Sequence, residues 1–279
     1  LKNTFQKAKL EKKPIKAVIH FAGLKSVNDS IKDPLSYWET NVYGTFNILS
    51  VMEEYDCKKI VFSSSATVYK PLIKKFYNER SELGPINPYG STKLAVEYML
   101  SDLVRDKLHD WKIINLRYFN PVGAHPSGFL GESPKGNPNN LFPILLKVAS
   151  GEYKSLSIFG KDWPTEDGTC IRDFIHIVDL AEAHISALKY INNSPPILLN
   201  LNIGTGRGYS VLEVVETFQK VNKCQFKYSF EARREGDAPH LVADNNLALS
   251  TLNWYPKRTL IDMCRDAWRW KLNNKNISI

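Results

Sequence analysis

Lys16-Ala17-Val18-Ile19-His20-Phe21-Ala22-Gly23 is a short apolar run without alternation, the pattern of a parallel strand covered on both faces. Lys59-Ile60-Val61-Phe62-Ser63-Ser64-Ser65 reads as a second strand, and Ile113-Ile114-Asn115-Leu116-Arg117-Tyr118-Phe119 as a third. Helical patterns separate them. Pro34 opens a long helix with Leu35, Trp38, Val42, Phe46, Leu49 and Met52 at three- and four-residue steps. Asn87-Pro88-Tyr89-Gly90-Ser91-Thr92-Lys93-Leu94-Ala95-Val96-Glu97 reads as the start of another helix. Strand, helix, strand, helix, strand predicts an α/β fold built on a doubly wound, Rossmann-type, mostly parallel sheet. Ligands of such sheets sit at the carboxyl ends of the strands, where Ala22-Gly23, Ser63 to Ser65 and Phe119-Asn120 fall.

Outside this frame, residues 1–13 are polar and read as the end of a helix. Residues 121–140 are rich in Gly, Pro, Asn and Ser and read as a long functional loop. Leu141 to Ser150 is expected as a helix, Leu156-Ser157-Ile158-Phe159 as a strand, and Ile175 to Ile191 as largely helical. Leu199 to Ile203 reads as a return to the main sheet, and a last helix starts at Leu260. Gly204-Thr205-Gly206-Arg207-Gly208 looks like a phosphate-binding turn. The G-x-G-x-x-G spacing fails, however, because Tyr209 fills the third Gly slot. Ser210 and Glu213 form a capping box that explains the turn structurally.

Composition narrows the function. With 279 residues and 43% hydrophobic content, the chain can bury a large core as one or two tightly joined domains. No apolar run approaches the length of a membrane span. Cys57, Cys170, Cys224 and Cys264 are scattered without a C-x-x-C pair, which fits reduced thiols and a cytoplasmic protein. A net charge of +8 raises nucleic-acid binding, but basic runs are only pairs such as Lys12-Lys13 and Arg233-Arg234. No aromatic-interleaved basic stripe accompanies them, so an anionic small molecule accounts better for the arginines. The six histidines show no metal spacing.

Tyr89 and Lys93 carry the chemistry. Positions i and i+4 share one helix face, so both side chains can face one cleft. A phenol with a pKa near ~10 is a poor base at neutral pH. A fixed ammonium nearby favours the phenolate, which could then exchange a proton with a substrate hydroxyl. Taken alone, the spacing equally describes an amphipathic helix with an ordinary surface Tyr and Lys. The Ala-Gly pair and the Ser triplet that end the two preceding strands favour the catalytic reading.

Longer blocks carry a family resemblance. Phe21-Ala22-Gly23-Leu24-Lys25, Asn41-Val42-Tyr43-Gly44-Thr45, Ser63 to Tyr69, Pro88 to Lys93, Leu116 to Gly128, Pro138 to Leu141, Thr165 to Thr169, Arg172 to His176 and Arg233 to Asp237 span nearly the whole chain. With these it resembles the UDP-glucose 4-epimerases of the extended short-chain dehydrogenase/reductase family. The resemblance implies NAD as cofactor, UDP-glucose and UDP-galactose as substrates, and a catalytic set of Ser65, Tyr89 and Lys93. Tyr89, as phenolate, would take the proton from the 4-hydroxyl while hydride leaves C4, and Ser65 would help relay that proton. The 4-keto sugar would then turn over and be reduced on its other face. Lys93 would bind the nicotinamide ribose and lower the pKa of Tyr89. Phe21, Ala22, Gly23, Leu24, Lys25, Asn41, Ser65, Tyr89, Lys93 and Phe119 are the implied NAD contacts. The UDP-sugar would meet Lys25, Ser65, Tyr89, Asn120, Asn140, Leu141, Ser157, Ile158, Phe159, Arg172, Phe174, Arg234, Asp237 and Leu241. Residues 1–120 would form the NAD-binding half, with 199–222 returning to it, and 121–279 the UDP-sugar half. A homodimer would pack the helices near 35–55 and 89–107.

The pattern is not complete. Family members open with a strand, a Gly-rich turn and a helix that seats the NAD pyrophosphate. These 279 residues start past that point. The expectation is therefore a sheet missing its first βαβ unit, in a fragment or incomplete gene product. That leaves open a second function, a non-catalytic remnant that binds UDP-sugar or pairs with a complete chain. A nucleotide-sugar 4,6-dehydratase is a third reading, disfavoured because Ala66-Thr67-Val68 after Ser65 supplies no acid for elimination. Leu241, of middling size, leaves acceptance of N-acetylated sugars undecided.

Overall fold

The computed structural model describes residues 1–71, 76–105, 110–134, 136, 138–234 and 237–274. The chain opens with helix α1 (Lys2–Leu10), which buries Phe5, and strand β1 (Val18–His20). Helix α2 (Val27–Lys32) is capped by Ser26, and α3 (Pro34–Tyr37) by Asp33 with Pro34 in the first turn. A π-helical segment, Trp38–Tyr43, joins α3 to α4 (Gly44–Glu54). Strand β2 (Lys59–Ser65), helix α5 (Pro88–Arg105) and strand β3 (Lys112–Tyr118) follow. Next come β4 (Asn120–Val122), α6 (Leu141–Ala149), β5 (Ser155–Phe159), β6 (Ile171–His176), α7 (Ile177–Asn193) and β7 (Ile197–Ile203). The last elements are β8 (Gly208–Ser210), α8 (Val211–Asn222), β9 (Lys227–Glu231), β10 (His240–Leu241), α9 (Asn246–Leu252) and α10 (Leu260–Asn273).

The main sheet has the order β1-β2-β3-β7, parallel throughout. Both faces are covered, which is why its strands do not alternate in the sequence. On one face Ile60, Phe62 and Ile113 pack with Leu49, Met52, Val96 and Leu100 from α4 and α5. On the other, Val61, Ile114 and Leu116 meet Leu180, Ala183 and Ala187 of α7. Each of these fully buried strand side chains contributes about 1.5–3 kcal/mol relative to exposure. A second core joins α6, β5, α8 and α10 through Leu145, Ile158, Phe218 and Met263. Between the two, β6 pairs with β4, β8 and β10.

Two expectations change. The stripe from Leu35 to Met52 is not one buried face: Leu35, Trp38 and Phe46 are exposed, while Leu49 and Met52 are buried. The π turn supplies the reason. It holds one extra residue, which rotates the helix face by about 100° and turns Asn41 and Thr45 inward. The strand β6 is absent from the sequence reading, because polar Arg172 and Asp173 break its apolar run. Helix α7 packs on the main sheet, and α8 packs with the second core.

Candidate active site

The site is built where β2 ends and α5 begins. Ser65 closes β2, and its hydroxyl accepts from the backbone N–H of Thr67 at 3.2 Å, turning the chain into a short 3₁₀ segment, Ala66–Val68. Asn87 caps α5 by accepting from Gly90 N–H at 2.8 Å, with Pro88 in the first turn. A Cβ at Gly90 would stand 2.6 Å from the Thr67 carbonyl and 2.8 Å from Pro85 Cβ. Only glycine lets the helix start touch the turn after Ser65. Tyr89 is thereby brought toward the Ser65 hydroxyl, which acts to lower the pKa of the phenol.

One turn along, Lys93 is 5% exposed. Its Nζ donates to the Ser63 carbonyl at 2.8 Å and lies 4.9 Å from the Phe62 ring centre and 5.8 Å from that of Tyr89. Burial holds the Lys93 ammonium down at about 8. Burial also pushes the Tyr89 phenol up, against the opposing Ser65 hydrogen bond. The expected depression of Tyr89 by Lys93 is therefore not the resting condition of the site. The ammonium is aimed at a backbone carbonyl, and desolvation is the largest influence on the phenol.

The loop after β1 closes the other side. Residues Phe21 to Lys25 are exposed, and Asn41 holds them in place. Asn41 accepts from Leu24 N–H at 2.7 Å and donates to the Leu24 carbonyl at 3.0 Å and to Thr92 Oγ1 at 3.1 Å. Thr92 lies inside the Tyr89–Lys93 motif, yet only the fold reveals its part in seating Asn41. The Phe21 ring lies 4.6 Å from that of His184, tilted by 39°, and the hydroxyl of Tyr118, register partner of Ser65, donates to His184 Nε2. Lys25 is engaged by Glu132 of the 121–140 loop at 2.7 Å. No local pattern in the sequence announces Glu132 as its partner.

Along β4, β6 and β10 lies a second group. Asn120 pairs with Phe174, and Arg172 with Leu241. Asn120 Oδ1 is buried with no hydrogen-bond partner. Arg172 donates to the Ala238 carbonyl at 2.7 Å and to Asp237 at 3.1 Å. The Arg234 guanidinium sits 3.8 Å from the Phe159 ring centre and reaches the Asn139 carbonyl at 3.5 Å. Glu235 and Gly236, between Arg234 and Asp237, lie outside the described residues. Asn140 occupies the N-cap of α6 without a side-chain cap bond, and Leu141 packs against the second core. Ser157 and Phe159 face outward, whereas Ile158 is 1% exposed, as strand alternation requires. Phe174 is buried against Phe142, and Phe119 is buried beside Ala66 and Leu94. The phosphate-like turn at Gly204–Gly208 is tied internally. Thr205 N–H and Gly206 N–H donate to Asp173 at 2.8 and 3.0 Å, and Ser210 caps α8.

His20, at the end of β1, donates from Nε2 to Thr45 Oγ1 at 2.9 Å, because that hydroxyl itself donates to the Asn41 carbonyl. Burial, helped by the Lys93 charge, lowers its pKa from 6.5 to about 4. Between those values the unfolded chain binds more protons, so stability falls as pH drops from 6.5 to 4. The loss from this group is about 3 kcal/mol. Asp173, raised by burial from 3.8 to about 6, acts in the opposite sense over its own window. A His20→Gln variant should therefore lose about 3 kcal/mol less than wild type between pH 7 and 4 in urea titrations. Equal losses would show that His20 does not titrate in this way.

The chain is 51% identical to the UDP-glucose 4-epimerase of Bacillus subtilis (strain 168) over 262 residues, covering 94% of this chain and 77% of that protein. Its fold matches the crystal structure of UDP-glucose 4-epimerase from Stenotrophomonas maltophila with bound NAD and formylated UDP-arabinopyranose. That match has a TM-score of 0.94 at 41% identity, over 99% of this chain and 82% of that one. The enzyme from Bifidobacterium longum in complex with NAD+ and UDP gives a TM-score of 0.90 at 42% identity, over 97% and 80%. Residues 2–204, with Ser65, Tyr89 and Lys93 among them, match the profile of one sequence family, so the chain belongs to the NAD dependent epimerase/dehydratase family.

Proposed function

We propose that this chain interconverts UDP-galactose and UDP-glucose with NAD held at the carboxyl end of the main sheet. The observation that carries this reading is the meeting of Tyr89 with Ser65 and Lys93 in a chain about half identical to UDP-glucose 4-epimerases. The residues present suit the cofactor. Loop residues 21–25 are open to solvent, and a Cβ at Gly23 would stand 2.9 Å from Asn41 Oδ1, so glycine lets the loop lie close against Asn41 and Lys93. Phe21, Ala22, Gly23, Leu24, Lys25, Asn41, Ser65, Tyr89, Lys93 and Phe119 would hold NAD. When bound, NAD takes up and returns the hydride at C4 of the sugar.

The chain's own residues supply the rest. Ser65 hydrogen-bonds the sugar's 4-hydroxyl and Tyr89 takes its proton. The same phenol gives the proton back when the ketone is reduced on its other face. Lys93 keeps a positive charge beside Tyr89, which favours the phenolate when the cleft is filled. Asn120, whose buried Oδ1 lacks a partner, supports a polar contact with the sugar. Arg172 and Arg234 suit a diphosphate, since a guanidinium fork matches phosphate geometry. Asn140, Leu141, Ser157 and Phe159 line the nucleotide side, with only the backbone of Ile158 between them, Phe174 and Leu241 beneath the sugar and Asp237 for the ribose hydroxyls. Holding the ligand by its nucleotide leaves the sugar ring free to turn over.

The test is direct. Purified protein should convert UDP-galactose to UDP-glucose, and denaturation should release NAD. A protein that releases no NAD and leaves both sugars unchanged after added NAD would sink the reading and favour a non-catalytic UDP-sugar binder.

A second copy of the chain is the proposed partner. Leu35, Trp38, Val42, Tyr43, Phe46 and Met99 line an open apolar groove between the α3–α4 stretch and α5. Trp38, Tyr43 and Phe46 are 41, 59 and 52% exposed. Apolar surface of this kind on helices marks an association face. Of the expected helix 89–107, residues 106 and 107 lie outside the described part. Light scattering should give a dimer for wild type and a monomer for Phe46→Glu, and a monomeric wild type would refute the pairing. The four free thiols suit the reducing cytosol.

A further inference from the structure

Three polar side chains of α5 meet three successive serines of β2. Tyr89, Lys93 and Glu97 recur every fourth residue and so share one helix face. Tyr89 meets the Ser65 hydroxyl, Lys93 the Ser63 carbonyl at 2.8 Å, and Glu97 the Ser64 hydroxyl, which donates to its Oε1. The first two contacts belong to the site already described. The third does not, because Glu97 is 4% exposed and is engaged away from the cleft.

Glu97 is gripped from two strands. Arg117 of β3, the register partner of Ser64, donates from Nε to Oε1 at 3.0 Å and from Nη2 to Oε2 at 2.6 Å. The remaining nitrogen of Arg117 donates to the Tyr69 hydroxyl at 3.0 Å and the Glu79 carbonyl at 3.3 Å. Tyr69 donates in turn to Asn202 Oδ1 at 2.6 Å. The carboxylate of one α5 residue is thus fixed to β2 and β3 and, through Tyr69, to β7. Tyr69 itself follows the 3₁₀ turn that leaves Ser65.

A buried ion pair stabilises a fold less than an apolar replacement of the same volume often does. Its directional bonds instead define one helix height and one rotation against the sheet. We infer that Glu97, clamped by Arg117 and Ser64, is a positioning residue that sets α5 where Tyr89 meets Ser65 and Lys93 meets Ser63. Glu97 touches no reacting atom. It acts through the helix: an axial slip of about 1 Å at the phenol is enough to cost about 100-fold in rate.

This inference rests on the epimerase reading, and two variants test it. Glu97→Gln keeps the shape and removes the charge, while Ser64→Ala removes one bond and leaves the ion pair intact. Both are compared with wild type by kcat, KM, the pH dependence of kcat and the melting temperature. The pH at which the Tyr89 phenolate forms is read by ultraviolet difference against Tyr89→Phe. Glu97→Gln should lower kcat about 10- to 100-fold with KM within about twofold, and Ser64→Ala about 3- to 10-fold. Both should displace the pH–rate profile and the phenolate titration. If folded variants keep the wild-type kcat and pH profile, whatever their melting temperatures, Glu97 is only structural and the inference fails. If Glu97→Gln does not fold, Ser64→Ala alone decides. If wild type itself shows no epimerisation, the functional reading has failed, and the phenolate titration decides the positioning role separately. An unmoved titration in Ser64→Ala then overturns it.

Discussion

Tyr89→Phe should reduce turnover of UDP-galactose by about 10²- to 10⁴-fold, the range lost when a positioned acid–base group is removed. The phenol is the group that both meets Ser65 and lies on the helix face of Lys93. Phe keeps the ring and its packing, so the variant should fold and lose only the net worth of one hydrogen bond, about 1 kcal/mol. UDP should bind it as it binds wild type, because Arg172, Arg234 and Asp237 are untouched. Calorimetric titration with UDP, beside a stopped-time assay of the two sugars, separates these expectations. A Phe variant that turns over within a few-fold of wild type would remove Tyr89 from its role.

Arg117→Met should be the most damaging single change to stability, costing about 3–5 kcal/mol. Arg117 is 1% exposed and Glu97 4%, so the variant leaves a carboxylate in the interior with its cation gone. Against a total stability of about 5–15 kcal/mol for a domain, such a loss lowers the melting temperature strongly. Arg117→Met combined with Glu97→Leu removes both charges and should regain most of that stability. The double variant should not regain turnover, since packing has replaced the bonds that set α5. Urea titrations of the single and double variants check the first claim and kcat the second. A single variant within about 1 kcal/mol of wild type would contradict the cost assigned to an unpaired buried charge.

Much of the architecture was legible from local pattern. Ile60, Val61 and Phe62 in succession can only be buried on both sides, and that implied the parallel sheet with helices on each face. Asn87-Pro88 announced a helix start by capping chemistry, and the spacing of Tyr89 and Lys93 then followed from helix geometry. What failed did so for non-local reasons. The stripe from Leu35 to Met52 assumed one helical period, and a π turn changed the phase. Arg172 and Asp173 hid a strand, because their partners Asp237, Thr205 and Ala243 lie far along the chain.

Taken alone, then, the sequence determined the sheet, the start of α5 and the one-face alignment of Tyr89, Lys93 and Glu97, because these depend on residues a few positions apart. Tertiary structure alone decided which partners those side chains meet. It placed Lys93 on the Ser63 carbonyl, gave Glu97 to Arg117, paired Lys25 with Glu132, and let burial rather than a neighbouring charge set the resting state of Tyr89. Hydrogen bonding and desolvation depend on distances between segments remote in sequence, and only the folded chain supplies those distances.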